Sequence, residues 1–145
     1  RNLPRRTCLA VPGSSEKMLG KGPTLPADMV FLDMEDSVAP LEKEAARGKV
    51  VDAIKDQDWG EKILCVRVNA WDTQWTYGDV IEVVGNAGER LEEIMLPKVQ
   101  TAGQVEAMDL LLTQVEKNAG LPIGHSRRQG SAHYRRPSAE SDRPD

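Results

Sequence analysis

Four short apolar runs divide the first 124 residues of the chain. Each run is nearly continuous in apolar residues, whereas a strand with one face in water would alternate apolar and polar positions. Runs of this kind are typical of parallel strands that are covered on both faces. The predicted strands are residues 7–13, 28–35, 62–69 and 93–99.

A segment with helical signals follows each of these runs. Ser14 or Ser15 is placed to cap a short first helix, and Pro40 stands at the first position of a second helix, where proline is favoured. A short third helix is expected around residues 80–84. Thr101, with a glutamine three residues later, forms a capping-box pattern for the fourth helix. The second helix is expected to bury Leu41, Ala45, Val51 and Ile54.

A strand followed by a helix, four times over, predicts an α/β fold with a parallel sheet. Two architectures fit this alternation: an open doubly wound sheet and a barrel. Neither a G-x-G-x-x-G fingerprint nor a P-loop follows the first strand. In both architectures, ligand sites lie at the carboxyl ends of the strands, so polar residues at those ends are the first candidates for function.

Composition and charge limit the class of protein. The chain has 145 residues, the size of one domain, with 39% hydrophobic and 29% charged residues. Its net charge of −4 argues against nucleic acid as the main partner, and no apolar run approaches the length that spans a membrane. No signal peptide is visible. Cys8 and Cys65 each lie in a strand-like run and are expected to be buried and reduced.

The composition changes sharply near residue 124. Residues 125–145 contain five Arg and no Leu, Ile, Val, Met or Phe, with five basic and three acidic residues, whereas residues 1–124 carry 14 basic and 20 acidic residues. A segment this poor in apolar residues is expected to be disordered, so the folded domain is predicted to be residues 1–124. Two other interpretations are a basic arm for nucleic acid or membrane, and a tail that results from a frameshift or an alternative exon.

The residues that could carry chemistry follow the second, third and fourth strands. Asp33, Glu35 and Asp36 end the second strand and could be metal ligands, a general base or partners of an arginine. Arg67 ends the third strand, and its guanidinium suits a carboxylate held through two hydrogen bonds, from a substrate or from an acid such as Glu35 or Asp36. Lys98 could form a Schiff base, contact an anion or be solvated.

Four segments in order resemble a known family. They read "RRTCLAVPGSSEKM", "ADMVFLDMEDSVAPLEKEAAR", "CVRVN" and "IMLPKV" and lie within residues 5–124. They are similar to the citrate lyase β-subunit-like proteins of the HpcH/HpaI aldolase group, which includes the malyl-CoA and citramalyl-CoA lyases. The resemblance implies the first four units of a (β/α)8 TIM barrel, retro-aldol cleavage of a 3-hydroxyacyl-CoA, and homo-oligomers in the cytoplasm or, alternatively, the mitochondrial matrix.

The resemblance also implies roles for individual residues. Arg67 would grip the carboxylate of the substrate, an acyl-CoA or a small 2-oxo or hydroxy acid. The expected supporting acids of the same rim are Asp33, Glu35 and Asp36. The expected contacts to the CoA phosphates are Arg6, Ser14 and Lys17, of which the last two lie in a loop that opens a helix and leaves backbone N–H groups free for an anion.

The metal-binding part of the family pattern is missing from this sequence. The resemblance implies Mg²⁺ bound by a Glu after a fifth strand and an Asp after a sixth, and both would lie beyond residue 124. The chain is therefore expected to be a truncated member that is inactive alone. The alternatives are a non-catalytic fragment that assembles with a full-length subunit and an independent small α/β binding module.

Overall fold

The fold, taken from a computed structural model that describes residues 7–126, alternates four strands with four α-helices. Short 3-10 turns at Gly22–Thr24 and Pro40–Glu42 connect some of them. The strands are β1 (Cys8–Pro12), β2 (Met29–Asp33), β3 (Ile63–Arg67) and β4 (Glu93–Met95). The helices are α1 (Glu16–Lys21), α2 (Lys43–Asp56), α3 (Thr76–Ala87) and α4 (Ala102–Ala119).

The sheet is parallel throughout, and its strands lie in chain order, β1-β2-β3-β4. Each new strand is therefore added at the same edge of the sheet. Because crossovers between parallel strands are right-handed, successive additions in one direction place every connecting helix on the same face. A doubly wound sheet reverses direction and covers both faces. The predicted α/β fold is thus confirmed, and of its two architectures the structure adopts the barrel type.

The two faces of the sheet carry different sets of side chains because successive residues of a strand point to opposite sides. Val30, Leu32 and Val66 face the helices and belong to the main core, together with Val83 of α3 and Met108 of α4. The opposite face carries a smaller cluster, which consists of Met29, Ile63 and Cys65 with Phe31 and Met95 packed against it. In a barrel this second face is the interior, and the last side chains along it reach the carboxyl rim.

Several predicted element bounds were too long or too short. The fourth strand, predicted to reach residue 99, ends at Met95, and Lys98 beyond it has a left-handed backbone with φ of 54°. The third helix is longer than residues 80–84 and covers Thr76–Ala87. The capping residues were predicted correctly, because Ser15 and Thr101 accept hydrogen bonds from backbone N–H groups in the first turns of α1 and α4.

The buried face of α2 was predicted incorrectly at its start. Pro40 begins a 3-10 turn and the α-helix starts only at Lys43, so the helical phase differs from the predicted one. As a result Leu41 is 99% exposed. Ala46 and Val50 are buried instead of Ala45.

The two cysteines differ in environment. Cys65 is buried as expected, but the prediction was wrong for Cys8, which is exposed. The reason is that β1 lies at the edge of the sheet, where only Val11 among its five residues is buried. Neither cysteine forms a disulfide within the described residues. In the strand register Cys8 aligns with Met29, whereas Cys65 aligns with Phe31.

The end of the described chain is held by a buried carboxylate. Glu116 of α4 is fully buried and accepts hydrogen bonds from the backbone N–H groups of Gly124 (2.8 Å) and Ser126 (2.9 Å). The predicted tail, residues 125–145, lies outside the described residues from position 127 onward. Among residues 7–126, no helix combines the length and the apolar character that crossing a membrane requires.

Candidate functional site

The carboxyl rim, the edge of the sheet at which all four strands end, brings Arg67 and Asp33 into direct contact. The two residues are register partners at the ends of β3 and β2. Arg67 Nε lies 2.9 Å from Asp33 Oδ1, and Arg67 Nη2 lies 2.9 Å from Asp33 Oδ2. Asp33, Glu35 and Asp36 were all candidates for a partner of the arginine, with Glu35 and Asp36 as the first examples, and the structure makes Asp33 the bidentate partner.

Asp33 is held as a carboxylate by more than the arginine. Its oxygens also accept hydrogen bonds from the backbone N–H groups of Glu35 (2.9 Å) and Ser37 (3.1 Å). Burial by itself would raise the pKa of Asp33, but the hydrogen bonds from Arg67, Glu35 and Ser37 outweigh burial and lower the pKa to about 2. The side chain is therefore an anion whose four contacts all fix the geometry of the rim.

The low pKa of Asp33 predicts an acid-dependent loss of stability. A carboxyl whose pKa is lower in the folded state stabilises the fold above its unfolded pKa, here 3.8, and this contribution disappears as the pH falls through about 2. The shift corresponds to about 2 kcal/mol. Urea unfolding between pH 5 and pH 1.5 should show this loss. In Asp33→Asn the free energy of unfolding should depend less steeply on pH over the same range. An unchanged slope in Asp33→Asn would contradict the assignment.

One edge of the Arg67 guanidinium stays open. Asp33 occupies the edge formed by Nε and Nη2, and the ring of Phe31 lies 5.3 Å from the guanidinium carbon and supports it from one face. Among residues 7–126, no acceptor forms a hydrogen bond with Nη1. The side chain is 25% exposed, so its second edge, formed by Nη1 and the remaining Nη2 proton, can receive a carboxylate through two hydrogen bonds. We call this the open edge of Arg67.

Glu35 joins Arg67 to Lys98. Its Oε2 lies 2.6 Å from Lys98 Nζ, whereas its Oε1 lies 3.5 Å from Arg67 Nε. The Glu35 side chain is 6% exposed. Asp36, 69% exposed, lies 3.5 Å from the same ammonium. The hydrogen bond that Lys98 donates to Glu35 and the charges of Glu35 and Asp36 raise the pKa of Lys98, whereas a Schiff-base lysine needs a lowered pKa.

Lys43 is a buried cation that the sequence analysis missed. It is 7% exposed, donates to the carbonyl oxygens of Met34 (3.2 Å) and Glu35 (2.6 Å), and lies 5.3 Å from the ring of Trp75. Burial lowers its pKa, against the opposing effect of the acids around it. The lysine thereby holds the backbone of the acidic loop. No local pattern distinguishes it from Lys49 and Lys55 of the same helix, of which the first is half-buried and the second exposed.

Asp79 is a second residue that sequence reasoning missed. It is fully buried in the first turn of α3 and accepts hydrogen bonds from Asn69 at both the backbone N–H (3.0 Å) and Nδ2 (2.7 Å). Arg47 of α2 donates to its other oxygen at 2.9 Å and to the carbonyl of Trp75 at 3.1 Å. The network fixes the loop that follows β3. An acid in the first helical turn is so common that it gave no usable signal.

The predicted phosphate-contacting loop follows β1. Ser15 caps α1 by accepting from the N–H of Met18 at 3.1 Å, and the carbonyl of Ser14 accepts from Lys49 at 3.0 Å. Lys17 is exposed on α1, and Arg6 lies outside the described residues. The CoA-contacting role of Arg6, Ser14 and Lys17 stays a prediction.

Gly13 lets this loop approach the second strand closely, which gives a testable prediction. Its N–H donates to the carbonyl of Asp33 at 2.7 Å, and a Cβ at this position would lie 2.8 Å from that oxygen and 3.0 Å from a methyl group of Val50. Gly13→Ala should therefore destabilise the protein by about 1–3 kcal/mol in urea unfolding. Gly48→Ala is the matched control, since a Cβ added at Gly48 would meet nothing within 4 Å, and it should stabilise α2 by about 0.5–1 kcal/mol. Equal effects would rule out the close approach.

The acids of the rim do not fit a metal ion. Both oxygens of Asp33 are used by Arg67 and by backbone N–H groups, and both oxygens of Glu35 face cations. Among residues 7–126 no group of three or more potential ligands is arranged to hold one. The interpretation of Asp33, Glu35 and Asp36 as Mg²⁺ ligands, left open from the residues alone, is not supported by this geometry.

Comparison with known proteins identifies relatives of the whole described region. The profile of the HpcH/HpaI aldolase/citrate lyase family matches residues 6–134. That match runs past residue 124, where the folded domain is predicted to end. An L-malyl-CoA/beta-methylmalyl-CoA lyase of Cereibacter sphaeroides is 44% identical over 117 residues, which are 81% of this chain and 37% of the relative. This chain therefore spans less than half the length of that lyase.

Two other relatives carry different activities in their names. The citrate lyase subunit beta of Leuconostoc mesenteroides is 38% identical over 120 residues, covering 83% of this chain and 39% of that protein. A (3S)-malyl-CoA thioesterase of Cereibacter sphaeroides is 39% identical over 112 residues, covering 77% of this chain and 38% of the thioesterase.

Solved structures share the fold. Malate synthase of Haloferax volcanii in its lead(II) complex superimposes with a TM-score of 0.76 at 23% identity, over 87% of this chain and 41% of that one. Protein CitE from Mycobacterium tuberculosis, solved in complex with magnesium and acetate, has a TM-score of 0.58 at 33% identity, over 70% of this chain and 39% of its own. The malate synthase, at this identity, supports the four-unit barrel architecture alone.

Proposed function

The chain belongs to the HpcH/HpaI aldolase/citrate lyase family, and from this premise we propose that it supplies the carboxylate-binding half of a carbon–carbon lyase. The proposed substrate is a 3-hydroxyacyl-CoA thioester of the malyl-CoA type, as in the name of the Cereibacter sphaeroides lyase. The proposed reaction is retro-aldol cleavage, and the residue assigned to the substrate carboxylate is Arg67.

The observation that carries this proposal is the open edge of Arg67. The guanidinium is held on one edge by Asp33, whose two oxygens lie 2.9 Å from its nitrogens, and on one face by Phe31. A guanidinium that is already oriented loses little conformational freedom when it binds a planar carboxylate. Its two hydrogen bonds can therefore fix the position of the substrate. It stands at the carboxyl ends of parallel strands, where barrel enzymes keep their sites.

In the proposed reaction, the carboxylate held by Arg67 lies on the carbon that bears the hydroxyl group. A base takes the proton of the hydroxyl group, the carbon–oxygen bond at C3 becomes a carbonyl as the bond between C2 and C3 breaks, and the electron pair of that bond passes to C2 as a thioester enolate. The enolate then takes up one proton at C2. Malyl-CoA would yield glyoxylate and acetyl-CoA. The role of this chain is to fix the end of the substrate that becomes glyoxylate, with Asp33 orienting the arginine.

Mg²⁺ is the proposed cofactor of the complete enzyme, and the complex of CitE with magnesium and acetate supports this choice. The described residues do not fit the ion, so no chemical step through the metal is assigned to them. The 145-residue chain alone should release no glyoxylate from malyl-CoA with Mg²⁺. Homo-oligomerisation and the cytoplasmic or mitochondrial location of the complete protein stay predictions.

Thioester hydrolysis is a second candidate, favoured by the match to the (3S)-malyl-CoA thioesterase. Both reactions need the same carboxylate contact and differ in the bond that breaks. Hydrolysis releases free CoA and malate, whereas cleavage releases glyoxylate and leaves CoA as a thioester. A thiol reagent and a glyoxylate assay on the same sample distinguish the two.

A chimera tests the proposal. The chimera joins residues 1–124 of this chain to the Cereibacter sphaeroides lyase, in place of the corresponding segment of the lyase. The rest of the chimera is the remainder of the lyase. The chimera should form glyoxylate from L-malyl-CoA, and Arg67→Met should lower kcat/KM by about 100-fold or more because the carboxylate is no longer positioned. Lys55→Ala, an exposed change on α2, is the control and should have no effect. A folded chimera that is equally active with Arg67→Met would refute the proposed role.

A further inference from the structure

We propose that Lys98 is a positioning residue that keeps the carboxylate of Glu35 away from the open edge of Arg67. The inference rests on the proposed function, because it explains how the carboxylate site stays free for a substrate. It assigns to Lys98 a role through Glu35 and not a direct contact with the reacting atoms.

Glu35 lies close to one cation and farther from another. Its carboxylate is nearly buried and carries a charge that needs a partner. Lys98 Nζ, at 2.6 Å from Oε2, is the close one, whereas Arg67 Nε at 3.5 Å from Oε1 is beyond ordinary hydrogen-bond length for a charged pair. The contact with Lys98 therefore sets the orientation of the Glu35 carboxylate.

Without the Lys98 ammonium, the Glu35 carboxylate would turn toward Arg67. Lys43 holds the carbonyl of Glu35 at 2.6 Å, so the backbone stays in place and only the side chain is free to turn. Arg67 is then the nearest cation, and its edge toward Asp33 is already occupied. The open edge is what remains, and a tethered carboxylate competes there at high effective concentration.

The backbone of Lys98 has an unusual conformation. With φ of 54°, Lys98 is the only non-glycine residue of the described chain in the left-handed region, which side chains with a Cβ rarely adopt. Glycine would take this conformation without strain but would supply no cation. Strained backbone of this kind often occurs at functional sites, and here it coincides with the ion pair between Glu35 and Lys98, whose side chain is 58% exposed. Asp36 adds little, because it is exposed and 3.5 Å away.

The test uses the 145-residue chain, acetate as the carboxylate probe, and the NMR signals of the Arg67 guanidinium. Lys98→Met should weaken acetate binding about tenfold, which corresponds to Glu35 occupying the open edge for about nine-tenths of the time. Lys98→Arg should bind nearly as the wild type. Adding Glu35→Gln to Lys98→Met should restore binding, because a neutral amide competes poorly for a guanidinium.

A readout without ligand completes the test. In Lys98→Met the Arg67 Nη protons should exchange with water more slowly than in the wild type, and the added Glu35→Gln should return the exchange to its original rate. If the double variant binds acetate no better than Lys98→Met and the exchange rates do not move, the inference is overturned. If the folded wild type shows no acetate response at Arg67, the proposed function fails, and the exchange measurement still decides the role of Lys98.

Discussion

Replacing Arg67 with methionine should lower the free energy of unfolding by about 3–5 kcal/mol and abolish the acetate response at the rim. The variant leaves Asp33, 2% exposed, without the guanidinium that pairs with both of its oxygens. Glu35, 5% exposed, keeps only Lys98. A buried charge that loses its partner costs more than the pair itself contributes, because its desolvation is no longer offset.

Urea unfolding of a short series isolates this effect. Arg67→Lys should be intermediate, since an ammonium keeps the charge but cannot hold both oxygens of Asp33 in one plane. Asp33→Asn added to Arg67→Met should recover part of the lost stability, because it removes the unpaired charge. Lys55→Ala, which is exposed, should change stability by less than about 0.5 kcal/mol. No recovery in the double variant would mean that the ion pair is not the source of the loss.

Replacing Asp79 with alanine should have a comparable effect on stability, about 3–5 kcal/mol. The carboxylate is fully buried and accepts hydrogen bonds from Arg47 and from two nitrogens of Asn69. Without it, the guanidinium of Arg47, whose side chain is 15% exposed, loses its anion. The backbone N–H of Asn69 loses its acceptor as well.

Hydrogen exchange locates the consequence of the Asp79 change. The backbone N–H of Asn69 should exchange with solvent much faster in Asp79→Ala than in the wild type, because its acceptor is the missing carboxylate. This should hold even under conditions in which the N–H groups of the strands remain protected. Asp79→Asn should lie between the wild type and alanine, since an amide oxygen can still accept. Glu106→Ala, an exposed acid on α4, is the control. Protection of Asn69 that survives in Asp79→Ala would exclude this role.

The two variants differ in what they do to the rim. Arg67→Met removes the group assigned to the substrate and exposes the acids around it. Asp79→Ala leaves Arg67 and Asp33 in place and loosens only the loop after β3, so acetate should still be detected at Arg67. A loss of acetate response in both variants would indicate that the loop and the guanidinium are coupled more tightly than their separate hydrogen bonds imply.

Some partners at the rim were predictable as a group but not as pairs. The acids after β2 and the arginine at the end of β3 were expected at one edge, because parallel strands share their carboxyl ends. The choice of Asp33 depends on register, which aligns Asp33 with Arg67 and sends both side chains to the same face. A shift of one residue would have turned Asp33 away.

The role of Lys98 could not be predicted from the residues around it in the sequence. As a residue in "MLPKV" it was compatible with a Schiff base, an anion contact or a solvated side chain. Its left-handed backbone and its 2.6 Å contact with Glu35 lie beyond the end of β4 at Met95, where the predicted strand had been expected to continue. Lys43 and Asp79 gave no signal, since lysines and aspartates in first helical turns are ordinary until burial singles them out.

By itself, the sequence determined the alternation of strands and helices, the parallel sheet, the cap at Thr101, the choice of Ser14 or Ser15 as the first cap, and the edge at which polar residues collect. These follow from periodicity and capping, which depend on neighbours within a few positions of the chain. The barrel type was left open by periodicity, was implied by the family resemblance, and is confirmed by the strand order. Only the tertiary structure decided the exposure of Cys8, the pairing of Arg67 with Asp33 and the link from Glu35 to Lys98. Those features depend on register and burial between residues tens of positions apart, which no local pattern records.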